Sequence, residues 1–420
     1  MKFHPVSALT LGVLSAVPGA LGWGAAGHEI IATIAEIYLH PTVMPTICAI
    51  LDEDAKPCHL SSIASWADRV RWQMRWSAPL HYVGAHDDHP SDHCAFPGER
   101  GWNGRAHMNV LGAIRNVSGI LEDWVEAREP EYVGNGRASV GGEGDPTAAE
   151  ALKFLVHFIG DMHMPLHLTG RERGGNGAKV TFDGRVTNLH SVWDNFLIAE
   201  RIRSIPYNYT RPLPSREVES VLRGAIYDPY VRRLIWEGLG EGGRWRDEWN
   251  NWLECPATPA KDTVVKTWRQ FFLGSTLSQL LSGSGIAEET DDDVLCPYHW
   301  AKPIHALNCK LIWPKALDEL GYSDININTD SNQAHDCHGH AVEEEVGLLD
   351  DLRAKPKPHE PYLELDTPEY AGVVRREWIV ERLLAMGGMR LAGTLNWLFA
   401  DLSGEEVQSR PRLWAEPLRV

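Results

Sequence analysis

Two His/Asp pairs at one spacing carry the first chemical signal in this chain: His157 with Asp161, and His190 with Asp194. Residues four apart share a helix face, so each imidazole and its carboxylate point at the same place, about one turn apart. His167 follows the first pair closely, just past Pro165. Three imidazoles and two carboxylates are ligand types that zinc accepts. One such pair alone reads more often as an exposed ion pair of little weight. The first pair, however, lies among Leu155, Val156, Phe158 and Ile159, which implies burial. A buried charge is costly unless something neutralises it, and a metal does so. The stretch Trp23-Gly24-Ala25-Ala26-Gly27-His28 is a third feature. A freed amino group at Trp23, with a pKa near ~8, can lose its proton to a metal. Its own carbonyl can close a five-membered chelate, with His28 near along the chain. Alone, Trp23 reads as a buried aromatic.

Helices must hold these donors. From Ala148 to Met164, Leu152, Leu155, Val156 and Ile159 recur at helical spacing. Asp145-Pro146 supplies a cap and a first-turn proline, and Pro165 stops the run. The same periodicity predicts helices over Glu29–Leu39, Asn109–Glu126, Leu189–Ile202, Thr263–Leu281 and Val374–Phe399. Strand-like alternation is confined to Ala178–Phe182, before an Asp183-Gly184 turn. Trp245, Trp249 and Trp252 have the spacing of one buried helix face. The polar stretch 326–361, with Glu343-Glu344-Glu345 and Lys355-Pro356-Lys357-Pro358, reads as a surface insertion. His335, Cys337, His338 and His340 inside it are read as a solvated loop rather than a metal site.

The chain has 420 residues, 43% hydrophobic and 23% charged, which is enough apolar material for a packed core and excludes a disordered or fibrous protein. Its formal charge of −17 excludes holding duplex DNA by a basic field alone; bound metal would have to supply positive charge locally. Residues 1–22 join a weakly basic start to a short apolar run and small residues, which predicts a cleaved secretory signal. No later stretch is long enough to span a bilayer. Seven cysteines without a C-x-x-C pair predict disulfides with one thiol over, assigned to Cys337. Asn116-Val117-Ser118 and Asn208-Tyr209-Thr210 are glycosylation acceptors in an exported chain.

The order Trp23-Gly24…Gly27-His28, Ala64-Ser65-Trp66-Ala67-Asp68, Pro79-Leu80-His81-Tyr82, His157 through His167 with Gly160-Asp161-Met162-His163 inside it, and Asn188-Leu189-His190-Ser191-Val192-Trp193-Asp194 resembles the single-strand-specific zinc nucleases of fungi and plants, the class I nuclease/3′-nucleotidase family. The resemblance implies a mainly α, single helical domain with a trinuclear zinc cleft and a minor β-hairpin. Its divisions are a signal peptide (1–22), a nuclease domain (23–325), the insertion (326–361), a C-terminal helix completing the domain (362–405) and a tail (406–420). It implies three zinc ions. Asp68, His81, His157 and Asp161 would bind one. The amino nitrogen and carbonyl of Trp23, His28 and the bridging Asp161 would bind the second, and His167, His190 and Asp194 the third. His163 is left outside the ligand set. Paired ions would make hydroxide from water near neutral pH for in-line attack on phosphorus, leaving 5′-phosphate products. Asp68 would orient that water, Arg71 would steady phosphate charge where the family usually has Lys, and Asn176 would read the base.

The implied protein is a secreted, monomeric endonuclease and 3′-nucleotidase acting on single-stranded DNA and RNA, without membrane attachment. Two positions depart from the family pattern. Gly84 replaces an Asp that helps hold the base, with Asp87 or Asp88 as possible substitutes, and Arg185 replaces a stacking aromatic. Hydrolysis is expected to persist with altered specificity. The resemblance also favours pairing Cys94 with Cys309; proximity in sequence suggests Cys48–Cys58 and Cys255–Cys296. A zinc phospholipase C-like phosphodiesterase and a catalytically weakened zinc-binding protein are the alternatives.

Overall fold

The computed structural model describes residues 23–52, 58–105, 107–128, 145–256, 291–319, 362–402 and 413–415. The expected signal peptide, the helix expected over 263–281, the polar insertion with its His335, Cys337, His338 and His340 group, and nearly all of the tail lie outside them.

Five helices position the His and Asp side chains: α1 (Ala25–Ile37), α2 (Trp66–Val70), α3 (Val110–Glu126), α4 (Pro146–Met162) and α5 (Ile379–Phe399). Helix α4 begins as its sequence dictates. The Asp145 carboxylate accepts from the Thr147 N–H at 2.8 Å, and Pro146 fills the first turn, where no N–H is needed. The Asn109 side chain caps α3 by accepting from Gly112 at 3.0 Å. Helix α4 packs against α3, α1, α5 and α2 and is buried around most of its circumference. Burying Leu152, Leu155, Phe158 and Ile159 contributes about 1.5–3 kcal/mol each. A helix held on so many sides is a rigid mount for His157 and Asp161.

Three elements differ from the periodicity reading. The helix expected over 189–202 widens at Val192–Phe196 into a π-turn between Leu189–Ser191 and Leu197–Arg203. Such widened turns recur where a side chain must be re-aimed at a functional site. The C-terminal run breaks at Trp378, whose φ of +56° separates Ala371–Arg376 from α5. Packing holds the Trp378 ring there, against Trp245 and beneath the Arg233 and Arg244 guanidiniums. Residues 245–252 form no continuous helix; the chain runs in turns to Glu248 and only Trp249–Leu253 is helical, as a 3₁₀ turn. Trp245 and Trp252 are nevertheless buried against each other, with ring centroids 5.8 Å apart.

Strand β1 (Lys179–Phe182) pairs antiparallel with β2 (Arg185–Asn188) across Asp183-Gly184. Both turn residues have positive φ, which suits the right-handed strand twist. Backbone bonds between Thr181 and both Leu363 and Leu365 lay the C-terminal segment beside β1. Three disulfides join Cys48–Cys58, Cys94–Cys309 and Cys255–Cys296; Cys337 lies outside the described residues. Among the described residues no helix is long and apolar enough to cross a membrane.

The Cys94–Cys309 bond closes 215 residues of chain. Replacing both cysteines with Ser is expected to lower unfolding free energy by about 2–5 kcal/mol, read as a fall in the urea midpoint at unchanged m-value.

Candidate metal centre

Three histidines of the centre are aimed by what their other nitrogen does. His157 donates from Nδ1 to the Ala64 carbonyl at 2.8 Å, His167 to the His81 carbonyl at 2.6 Å, and His190 to the Gly174 carbonyl at 2.7 Å. A carbonyl can only accept, so the proton sits on Nδ1 and the lone pair on Nε2. In His157 that Nε2 lies 3.2 Å from Asp161 Oδ2 and 3.6 Å from Asp68 Oδ1. In His190 it lies 3.1 Å from Asp194 Oδ2. The His167 and His190 rings stack at 5.1 Å.

Asp161 is the hub. Besides His157 it meets His81 at 2.9 Å, His28 at 3.3 Å and His167 at 3.4 Å. Helix α2 supplies Asp68, and the 3₁₀ turn Arg75–His81 supplies His81 at its last residue. Helix α1 supplies His28, whose ring stacks on His157 at 3.9 Å. Gly160 makes that stacking possible, because a Cβ there would stand 2.5 Å from His28 Nδ1. Trp23 is fully buried, and the next N–H, from Gly24, donates to the Asp194 carbonyl at 3.1 Å. The segment from Trp23 therefore lies against the π-turn that carries Asp194.

None of Trp23, His28, Asp68, His81, His157, Asp161, His167, His190 and Asp194 is more than 5% exposed. Their donor atoms fall within 4.8 Å of one another in three groups able to hold a metal ion: His28, Asp68 and His157; His81, His157 and Asp161; His167, His190 and Asp194. The unmet polar atoms test this fit. Both ring nitrogens of His28, both oxygens of Asp68 and of Asp194, Asp161 Oδ1, and Nε2 of His81 and of His157 are buried without a hydrogen bond. Orphaned groups of this kind are expensive, and a cation is the partner that acceptor atoms accept.

Electrostatics agree. Burial pushes the Asp194 carboxyl up to about 7 despite His190. Burial opposes ionisation of Asp161 and Asp68 too, but His157 and its neighbours outweigh it, holding Asp161 well below the usual carboxylate range and Asp68 at about 2. Positive charge in the centre decides whether these groups are anions.

His163 belongs to the packing. It donates from Nδ1 to the Ile159 carbonyl and accepts at Nε2 from Arg390 of α5 at 2.9 Å; burial and that guanidinium keep its pKa well below the ordinary value. Cys94, His305 and Cys309 also cluster, but their disulfide consumes both thiols.

Of the residues expected to meet substrate, Arg71 ends α2 three residues beyond Asp68, and Asn176 sits half-buried at the end of the kinked turn Glu172–Gly175 with its amide donating to the Arg173 carbonyl. Arg185 is exposed on β2. Packing explains Gly84: a Cβ there would lie 2.5 Å from the Gly170 nitrogen. Both possible substitutes already accept hydrogen bonds. Asp87 accepts from Arg100, and Asp88 is buried, accepting from Ala95, Thr169 and His305. The side chain beside Gly84 is Asn103, from a loop that carried no sequence signal. Sequence reasoning also missed Gly160 and the three carbonyl acceptors, since main-chain groups leave no signature in residue type.

A profile of the S1/P1 nuclease family matches residues 23–231, a span containing all nine of the expected ligand residues. Endonuclease 2 of Arabidopsis thaliana is 32% identical over 254 residues, 59% of this chain and 73% of that protein. Nuclease S1 of Aspergillus oryzae is 35% identical over 250 residues, 56% of this chain and 78% of that protein. The chain belongs to the S1/P1 nuclease family. Nuclease P1 of Penicillium citrinum is 38% identical over 177 residues, covering 42% of this chain and 58% of that protein. The protein is thus a nuclease, a hydrolase acting on phosphodiester bonds, from a family that depends on zinc.

Gly160→Ala is expected to displace His28 and lower both bound zinc and nuclease activity, the latter by roughly 10- to 100-fold as for loss of a supporting group around a metal. Elemental analysis and far-UV circular dichroism on one sample separate this outcome from misfolding.

Proposed function

We propose that this nuclease is a secreted endonuclease and 3′-nucleotidase acting on single-stranded DNA and RNA, with three zinc ions in the Asp161 centre. The observation that carries it is a buried cluster of His and Asp side chains whose inward atoms lack hydrogen-bond partners. Asp68, His81, His157 and Asp161 would hold one ion, and His167, His190 and Asp194 another. Trp23, through its amino nitrogen and carbonyl, would hold the third together with His28 and Asp161. Cleavage before Trp23 is what would free that amine, and the burial of Trp23 beside Asp194 supports its inclusion. The three disulfides among the described residues fit an oxidising compartment.

Bound zinc supplies Lewis acidity toward phosphoryl oxygens and lowers the pKa of water. The protein's own residues do the rest. Carbonyl-locked imidazoles keep the donors aimed without rearrangement, and Asp161, common to two of the expected ligand sets, would help to hold an ion in each. Asp68 orients the attacking water, and the Arg71 guanidinium steadies the phosphate. Departure of the 3′-oxygen gives 5′-phosphate ends. Asn176 offers its amide to an unpaired base, which duplex pairing would conceal. With Gly84 bare and Arg185 in the aromatic's place, base preference should be weaker than where both are present.

Purified protein is expected to cut a single-stranded oligonucleotide and RNA well ahead of the matching duplex, to lose activity to a chelator, and to regain it with zinc. Phosphatidylcholine assayed alongside should be untouched; its hydrolysis instead would favour the phospholipase C-like reading, and full zinc with no hydrolysis the weakened-protein reading. One residue added before Trp23 is expected to cost about 100-fold in activity and a share of the zinc. Unchanged activity would remove Trp23 from the ligand set.

A further inference from the structure

Four consecutive residues, Glu172, Arg173, Gly174 and Gly175, have positive φ, at +46°, +55°, +67° and +82°. Glycine enters this region freely, but Glu172 and Arg173 carry side chains that disfavour it. Such a run persists only where its surroundings over-determine it. The turn touches the metal centre at one end and the expected base contact at the other. The Gly174 carbonyl accepts from His190 Nδ1 at 2.7 Å, and a Cβ on Gly174 would stand 2.6 Å from the Leu166 carbonyl oxygen. Asn176, directly after the turn, has its amide tied back to the Arg173 carbonyl at 2.9 Å. Whatever fixes the turn therefore fixes the ring of His190 and the amide of Asn176 together.

Bonds within the turn set its shape: the Gly175 N–H donates to the Arg171 carbonyl at 3.0 Å, and the Gly177 N–H to the Glu172 carbonyl at 3.0 Å. Its place is set from outside, through Arg171 at its head. The guanidinium donates from Nε and Nη2 to Asp318 Oδ1, at 3.1 and 2.5 Å. The other oxygen of Asp318 accepts from Trp313 Nε1 at 2.8 Å and from Ser91 Oγ at 2.5 Å. Each carboxylate oxygen thus takes two donors, and the Asp318 and Arg171 side chains are only 15% and 28% exposed. A charge-assisted contact shielded in this way holds its geometry better than one in open solvent. Asp318 ends the 3₁₀ turn Lys315–Asp318, outside the span that matches the nuclease family.

We propose that Asp318 is a positioning residue of this nuclease: through Arg171 it latches the left-handed turn, so that the Gly174 carbonyl aims His190 at its metal ion and Asn176 is held for the base. The latch rests on the zinc and base-contact roles proposed above for His190 and Asn176, and deepens them. One carboxylate far along the chain then acts on metal affinity and on substrate binding at once.

Three readouts on one set of variants test the latch. Asp318→Asn is expected to weaken one of the bound zinc ions roughly 10- to 100-fold in competition with a chelator, as for loss of a group that supports a metal ligand, and to leave the other two as in the parent. At saturating zinc its KM for a dinucleotide should rise roughly 2- to 10-fold, the loss of one hydrogen bond, with a smaller change in kcat. Trypsin should cut the zinc-free variant faster after the exposed Arg173, because the turn opens more often. Arg171→Gln should reproduce all three effects, and the double variant should be no worse than either single one; it also carries the test should Asp318→Asn fail to fold. Zinc affinity at the parent value, whatever the change in melting temperature or tryptic cutting, would overturn the latch, and so would additive losses in the double variant. Failure of the zinc reading looks different: the parent itself would hold fewer than three ions, and Asp318 would lose its role with them.

Discussion

A carboxylate with no exposure to water, surrounded by four imidazoles, is the constraint around which this molecule is arranged. Burial opposes charge on Asp161, and only neighbouring positive charge makes it an anion. Burial opposes charge on Asp68 and Asp194 too; the imidazoles outweigh it at Asp68 but not at Asp194, so three carboxylates share one low-dielectric pocket with few protein donors to satisfy them. Such a pocket is poor stability design and good metal-site design. Its unmet acceptors are the reason for the site.

Holding those acceptors apart and aimed demands stiffness, and the fold supplies it from several directions. The central helix is packed on most sides. The segment at Trp23 is pinned to the π-turn through Gly24 and Asp194, and three main-chain carbonyls fix the tautomers of His157, His167 and His190. Supporting bonds of this kind set the direction of each lone pair before a metal arrives, which reduces the reorganisation needed on binding.

The substrate side is less constrained and departs further from the family pattern. Gly84 is bare because Gly170 presses against it, and the nearby aspartates are committed to Arg100, Thr169 and His305. Both departures lie outside the buried His and Asp cluster, none of whose members is changed by them.

The four-residue His/Asp spacing, the proline and aspartate that bound the central helix, and the turn between the short strands are local features, and each was legible because its physics operates within a few residues. Asp68 and His81 enter the expected ligand set only through the family resemblance, because neither carries a local spacing signal of its own. What joined the donors was not legible. The widening of Val192–Phe196 into a π-turn, the break at Trp378, the failure of residues 245–252 to form a helix, the need for Gly160 beneath His28 and the commitment of Asp88 to His305 all depend on how the assembled chain packs. Residue types determined which atoms could bind a cation; only tertiary packing decided which main-chain carbonyl would turn each ring and which neighbours would leave the carboxylates unsatisfied, because burial is a property of the assembled chain and of no residue within it.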